Sequence, residues 1–229
     1  MKSEGFKRMD KAGGNNLKGV AFFSGGKDGL YAMYLAEKQE IEVPYLLALK
    51  TTIGISPHYE NLSELKKLVD VMGKELLIFD MREGSEALAD FISSLDVDYI
   101  IAGDILLEDH FKWVKWLAKR AETGALEPLW GRNTLGLAKE MLNAGFEYAI
   151  IAVNREKLSK EWLGYAFSSL GDLELFLEAS PEIDPIGEFG EFHTVVLNCP
   201  LFKKSFELKP LRIKESGRYW WLNFRLVET

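Results

Sequence analysis

Apolar positions fall into two rhythms along the first two thirds of the chain. A short run, Gly19 to Phe23, leads into the polar, glycine-rich stretch Ser24-Gly25-Gly26-Lys27-Asp28-Gly29. Beyond it Leu30, Tyr31, Tyr34 and Leu35 recur at helical spacing, out to about Gln39. The same alternation repeats. Val43–Leu49, Glu75–Phe79, Asp98–Ala102 and Glu147–Val153 read as buried strands. Between them Leu62, Leu65, Leu68, Val69 and Met72 mark one helix, begun by a capping-box-like Asn61 and Glu64 and stopped by Gly73. Further helices are expected over 85–95, 108–122 and 133–144, the last closed by Gly145. Strands alternating with helices predict an α/β fold, a doubly wound and mostly parallel five-stranded sheet with 147–153 as its fifth strand.

The rhythm changes near residue 154. Helical pieces are expected over 155–163 and 168–178. A turn-rich stretch from Asp184 to Thr194 follows, then strands over 195–198, 204–213 and 218–227. The expected division is a flexible tail over 1–17, a nucleotide-binding domain over 18–154 and a smaller α+β domain over 155–229.

Ligands of doubly wound sheets bind beyond the carboxyl ends of the strands. Three chemically pointed segments fall there: Ser24–Asp28, Lys50–Thr52 and Gly103–Asp104. The first is a strand, a glycine turn and a helix start, a geometry that binds anions through backbone N–H groups and the helix dipole. Ser24 adds a hydroxyl and Lys27 a cation. Asp28 suits a phosphate site if it caps the helix or holds Mg²⁺ beside a nucleotide. The stretch is neither a Walker A loop nor G-x-G-x-x-G. A second cluster, Gly187-Glu188-Phe189-Gly190-Glu191-Phe192-His193-Thr194, packs two carboxylates, an imidazole and a hydroxyl between turn and strand, with Asp184 upstream. Such a cluster suits Mg²⁺, an ammonium ion or ammonia. His110 is a catalytic candidate by position, although near a helix start a solvated or capping role is the ordinary one.

Composition narrows the field. The 229 residues are 47% hydrophobic, enough for a sizeable core, and no apolar run reaches the length of a membrane span. A net charge of −7 argues against a stable nucleic-acid complex. The single cysteine, Cys199, excludes an internal disulfide and fits a reducing cytoplasm. Self-association is left open.

Ser24-Gly25-Gly26-Lys27-Asp28 resembles the pyrophosphate loop (PP-loop), S-G-G-x-D-S, of the N-type ATP pyrophosphatases, with Gly29 where the pattern ends in Ser. Behind such a loop, G-E-x-G-E-[FY]-x-T resembles the diphthine–ammonia ligase (diphthamide synthetase) family. Gly103-Asp104-Ile105, Pro128-Leu129-Trp130-Gly131, Gly145-Phe146, Trp162-Leu163-Gly164 and His58 extend the likeness. The stretch Leu106 to Lys119 departs from it. The resemblance implies an adenine nucleotide alpha-hydrolase-like (Rossmann-like) fold and an enzyme that amidates diphthine on elongation factor 2, consuming ATP, Mg²⁺ and ammonia and releasing AMP and pyrophosphate. It implies Ser24, Gly25, Gly26, Lys27, Asp28, Lys50, Thr51, Gly103 and Asp104 as the nucleotide site, with Asp28 as metal ligand. Lys27, Asp28, Glu188, Glu191 and His193 would be catalytic, and His58, Trp130, Gly131 and Thr194 would face the substrate. Alternatives on the same fold are a nucleotide sensor without turnover, or a pyrophosphatase acting on another carboxylate or on RNA.

Overall fold

The computed structural model describes residues 16–50 and 57–229. The expected tail therefore falls, but for residues 16 and 17, outside the described residues, and so do Thr51 and Thr52. The first half of the chain builds β1 (Lys18–Phe22), α1 (Lys27–Glu37), β2 (Glu42–Lys50), the short α2 (Pro57–Glu60), α3 (Leu62–Met72), β3 (Glu75–Asp80), α4 (Gly84–Ser93), β4 (Tyr99–Ile101), α5 (Glu108–Arg120) and β5 (Gly124–Leu126). The five strands form one parallel sheet in the order β3-β2-β1-β4-β5. The order reverses between β1 and β4, so a crevice opens beyond the carboxyl ends of those two strands. The parallel, doubly wound expectation holds.

The second half adds α6 (Thr134–Asn143), β6 (Glu147–Asn154), β7 (Ala166–Phe167), α7 (Leu170–Ala179), β8 (Phe192–Asn198), β9 (Phe206–Ser216) and β10 (Tyr219–Glu228). Here the structure corrects the sequence reading. The run at 147–154 is not the fifth parallel strand. It pairs antiparallel with β7, β8 and β10 in a separate sheet. The fifth parallel strand is the three-residue β5. Nor does a long helix form over 155–163, where one 3₁₀ turn, Lys160–Trp162, follows a stretch of turns.

Residues alternate across the parallel sheet. Val20, Leu47 and Ile100 pack with Leu88, Ile92, Val114 and Leu117 of α4 and α5 on one face. Ala21, Leu46 and Ile101 face the other way, into a core shared with α1, α3, α6 and the second sheet. Helix α1 is thus enclosed, with Leu30, Tyr31, Ala32, Met33 and Ala36 all buried. The expected capping box at α3 is absent, because both side chains serve β10 instead. Asn61 Nδ2 donates to the Leu222 carbonyl at 3.0 Å, while its Oδ1 accepts from Phe224 N at 3.2 Å. Glu64 Oε2 accepts from Leu226 N at 2.7 Å. These bonds fasten the second sheet beside the crevice.

Candidate nucleotide and acid-segment site

The turn after β1 supplies the first wall. Gly25 sits at φ +77, and a Cβ there would come within 2.6 Å of Leu65 Cδ2. Only glycine fits both constraints. Gly26 is the N-cap of α1 and offers no side-chain cap, and Asp28 stands in the first turn of the helix. The turn is bonded to β8. Val196 N donates to the Gly25 carbonyl at 2.9 Å, and Lys27 N donates to Thr194 Oγ1 at 3.2 Å. Gly26 N reaches Ser24 Oγ at 3.3 Å.

Lys27 is the central cation. It is 2% exposed, and its Nζ donates to Asp28 Oδ2 at 2.9 Å and to the Ile186 carbonyl at 2.6 Å. That carbonyl is aimed by Asp184, whose Oδ1 accepts from Ile186 N at 3.0 Å and Glu188 N at 3.2 Å. The acidic segment is therefore folded onto the loop by its own carboxylate. Burial raises the Asp28 carboxyl, with Lys27 pulling the other way. Its buried Oδ1 has no hydrogen-bond partner among the described residues.

The fourth strand approaches equally closely. A Cβ on Gly103 would lie 2.7 Å from the Asp28 carbonyl carbon and oxygen and 2.8 Å from Gly29 N, all backbone atoms. Asp104 Oδ1 lies 2.6 Å from His110 Nδ1.

Two adjoining cavities result. The larger, about 510 Å³, is lined by Ser24, Gly26, Lys27 and Asp28 on one side and by His58, Glu188, Phe189, His193, Thr194 and Arg218 on the other. The smaller, about 290 Å³, lies over the ends of β1, β2 and β4 and is lined by Phe22, Phe23, Leu47, Leu49, Gly103, Asp104 and His110. Ser24 and Asp28 border both. Gly29 also lines the smaller cavity, so the position that departs from the S-G-G-x-D-S pattern is part of the site and brings no hydroxyl to it.

Not every residue singled out in the sequence points inward. Glu191 lines neither cavity. It is 3% exposed, and its oxygens accept from Lys157 Nζ at 3.0 Å and Phe189 N at 2.9 Å. Its neighbour Glu188 does line the larger cavity, with Oε1 held by Leu106 N at 2.7 Å. Burial raises the Glu188 carboxyl, and the Asp28 charge adds to the rise. Trp130 stacks on Phe111 with ring centres 3.9 Å apart, and Gly131 N donates to the Ile105 carbonyl at 2.8 Å. The pair braces the turn after β4 and lines neither cavity. Lys50 faces Asp80 at 3.4 Å. Arg218, at the tip of the β9–β10 hairpin, lines the larger cavity, but its lone position after Gly217 carried no local signal.

Replacing Glu191 by glutamine should leave nucleotide binding intact. It should cost about 1–2 kcal/mol of stability through the lost charge on a buried partner, or roughly 2–8 °C in Tm for a chain of this size. Calorimetric melting with and without nucleotide checks this. Loss of binding at unchanged Tm would return Glu191 to the binding site.

His58 and His193 meet edge to face, ring centres 5.5 Å apart. Burial pushes His58 down to about 3, with the neighbouring His193 adding to the fall. Burial, then the Lys27 and Arg218 charges, push His193 down to about 4. Both rings are neutral in the fold. A histidine lowered on folding stabilises fully above its unfolded value, near 6.5, and loses that contribution as pH falls. The raised Asp28 and Glu188 carboxyls act with the opposite sign. The wild-type Tm should therefore fall more steeply between pH 7 and pH 4.5 than that of a His58→Asn/His193→Asn variant. Parallel curves would show that the rings do not titrate with folding.

A glycine turn at the switch point of a parallel sheet, faced by an acidic segment from an appended sheet, is the arrangement of a PP-loop α/β protein. Sequence comparison narrows this. The family model described as the diphthamide synthase N-terminal domain matches residues 17–123, and that for the diphthamide synthase C-terminal domain matches 133–228. Together they take in nearly all of the described chain, and the chain belongs to the diphthamide synthase family. It is 31% identical over 132 residues to the diphthine–ammonia ligase of Schizosaccharomyces pombe, a match covering 57% of this chain and 22% of that protein. It is 32% identical over 113 residues to the Danio rerio enzyme of the same name, covering 48% and 44%. The chain thus spans less than half the length of these relatives. Among solved structures it is similar to one described as a predicted subunit of tRNA methyltransferase from Methanocaldococcus jannaschii. That match has 16% identity and a TM-score of 0.44 and covers 80% of this chain and 98% of that one.

Proposed function

We propose that this chain is an ATP-dependent carboxylate–ammonia ligase that converts diphthine on elongation factor 2 to diphthamide. The observation that carries the reading is the closure of one cavity by two chemically different walls. An anion-binding loop with a buried lysine stands opposite a carboxylate-bearing segment, and the two are hydrogen-bonded together.

A carboxylate resists amidation because oxide is a poor leaving group. Transfer of AMP from ATP to the carboxylate oxygen forms an acyl-adenylate and releases pyrophosphate. Attack by ammonia then breaks the acyl–oxygen bond, and AMP leaves with that oxygen. The smaller cavity has the size and apolar lining for a nucleoside. The phosphates then run past Ser24 and Asp28 into the larger cavity. There Lys27, the Ser24 hydroxyl and the N-terminus of α1 face the charge that develops on the departing pyrophosphate.

Mg²⁺ would be held by Asp28 together with nucleotide oxygens and water, a habit of that ion. The unpartnered Oδ1 fits this role, and among the described residues no group of three His, Cys, Asp or Glu side chains is placed to hold a metal. When bound, the ion would neutralise phosphate charge. Glu188 is the carboxylate placed for the second half. Its raised affinity for protons makes it a better acceptor for the proton that ammonium must lose. His58 and His193, neutral and packed together, shape the acceptor side beside Thr194. Gly103 admits the close approach of backbone to α1, and Asp104 borders the nucleoside.

The altered segment Leu106–His110 favours one second reading, a nucleotide sensor without turnover. Pyrophosphate release separates the two. With ATP, Mg²⁺ and ammonium, addition of diphthine-bearing elongation factor 2 should start it. Tight ATP binding with no release under those conditions would sink the ligase reading and leave the sensor.

A further inference from the structure

The nucleotide reading accounts for one cation, Lys27, on the loop side of the site. The smaller cavity is bordered by carboxyl groups. Asp104 stands at the end of β4, Glu127 follows β5, and Asp28 borders the same smaller cavity. Among the described residues no donor reaches Asp104 Oδ2 or either buried Glu127 oxygen, and burial, then the Asp104 charge, push the Glu127 carboxyl up to about 8. A nucleotide phosphate entering beside Asp28 and Asp104 needs a second positive group. His110 is the side chain built for it.

It lines the smaller cavity with Ser24, Asp28 and Asp104. Its Nδ1 lies 2.6 Å from Asp104 Oδ1, and that carboxylate is only 11% exposed. The ring stacks on Trp113 with centres 5.1 Å apart at 28°, and Trp113 stacks on Phe22 of β1 at 5.7 Å and 20°. Trp113 is fixed in turn by a 3.0 Å bond from its Nε1 to Ser85 Oγ. The imidazole is thus held by the Asp104 carboxyl at its Nδ1 edge and by the Trp113–Phe22 stack on its face. With Nδ1 engaged by a carboxylate, Nε2 is the nitrogen left to donate. Nε2 has no hydrogen-bond partner among the described residues. The Asp104 bond also favours the charged ring over burial.

We propose that His110 is a nucleotide-binding residue whose Nε2–H contacts the α-phosphate where the two cavities join. The inference rests on the nucleotide reading above and extends it to a residue outside the glycine loop. The nucleoside fits the smaller cavity and the β- and γ-phosphates the larger. The α-phosphate therefore falls at their shared border, beside Ser24 and Asp28, within the wall that His110 completes.

The test compares two probes on the purified full chain, AMP and adenosine, by titration calorimetry. They differ only in the α-phosphate. His110→Ala should weaken AMP by about tenfold, the worth of one charge-assisted hydrogen bond, and leave adenosine within twofold. His110→Lys, which restores a cation, should recover most of the AMP affinity. Equal AMP affinity in wild type and His110→Ala would overturn the inference. So would a parallel loss for both probes, which marks a change in cavity shape. Wild-type protein that binds neither probe would overturn the nucleotide site itself, and this inference with it.

Discussion

Replacing Lys27 by methionine should lower ATP affinity by about 10–100-fold, the value of one or two charge-assisted hydrogen bonds in a partly enclosed site. The expectation follows from where the ammonium sits. It is fixed by Asp28 and the Ile186 carbonyl at one end of a cavity whose other cation, Arg218, stands on the far wall. Methionine keeps the unbranched length and removes only the charge and the donors. Stability should also fall, because the buried Ile186 carbonyl loses its partner and Asp28 loses the charge that opposes its burial. Binding should therefore be compared at a temperature well below the Tm of both proteins. Unchanged ATP affinity with a lowered Tm would make Lys27 a structural clamp between the glycine loop and the acidic segment, and no more.

The second large effect should come from Glu188. Its glutamine variant should still bind ATP and should still exchange labelled pyrophosphate into ATP when the acceptor protein is present. Amide formation should fall by about 10²–10⁴-fold, the usual cost of losing a general base. Glutamine preserves the shape and can still accept the bond from Leu106 N at Oε1, so the segment should keep its fold. Loss of exchange together with loss of product would move Glu188 to the adenylation half. Full product formation would leave it a latch between the acidic segment and the turn after β4.

Glu188 and Glu191 also show how far sequence could reach. Both stand in the same eight-residue pattern, and nothing local separates them. What separates them is Lys157, 34 positions upstream, which draws Glu191 out of the cavity. The glycine loop was legible because its signal is local: an apolar strand, glycines where the backbone must turn, then helical spacing. Strand β6 was legible as a strand but not as a member of the second sheet. A continuous apolar run buries equally well in a parallel or an antiparallel sheet. Strand β5 has three residues, one of them Gly124, and sits just past a strongly periodic helix that masked it. The Asn61 and Glu64 pattern was real as spacing, yet β10 offered better hydrogen bonds than the helix end. For His110 the sequence left a catalytic role open beside the more ordinary solvated or capping one. Its bond to Asp104 and its stack on Trp113 depend on a helix turn and a strand end that only the fold brings together.

A ligase of this kind moves nitrogen from ammonia to the carboxylate at the expense of the α–β bond of ATP. The direct measurement incubates the chain with ATP, Mg²⁺, ¹⁵N-ammonium and diphthine-bearing elongation factor 2. Peptide mass spectrometry of the acceptor is paired with quantitation of adenine nucleotides. The account predicts one ¹⁵N per modified residue, with AMP and pyrophosphate formed in equal amount and no accumulation of ADP. Label incorporation accompanied by ADP, or AMP and pyrophosphate formed without label in the acceptor, would contradict it.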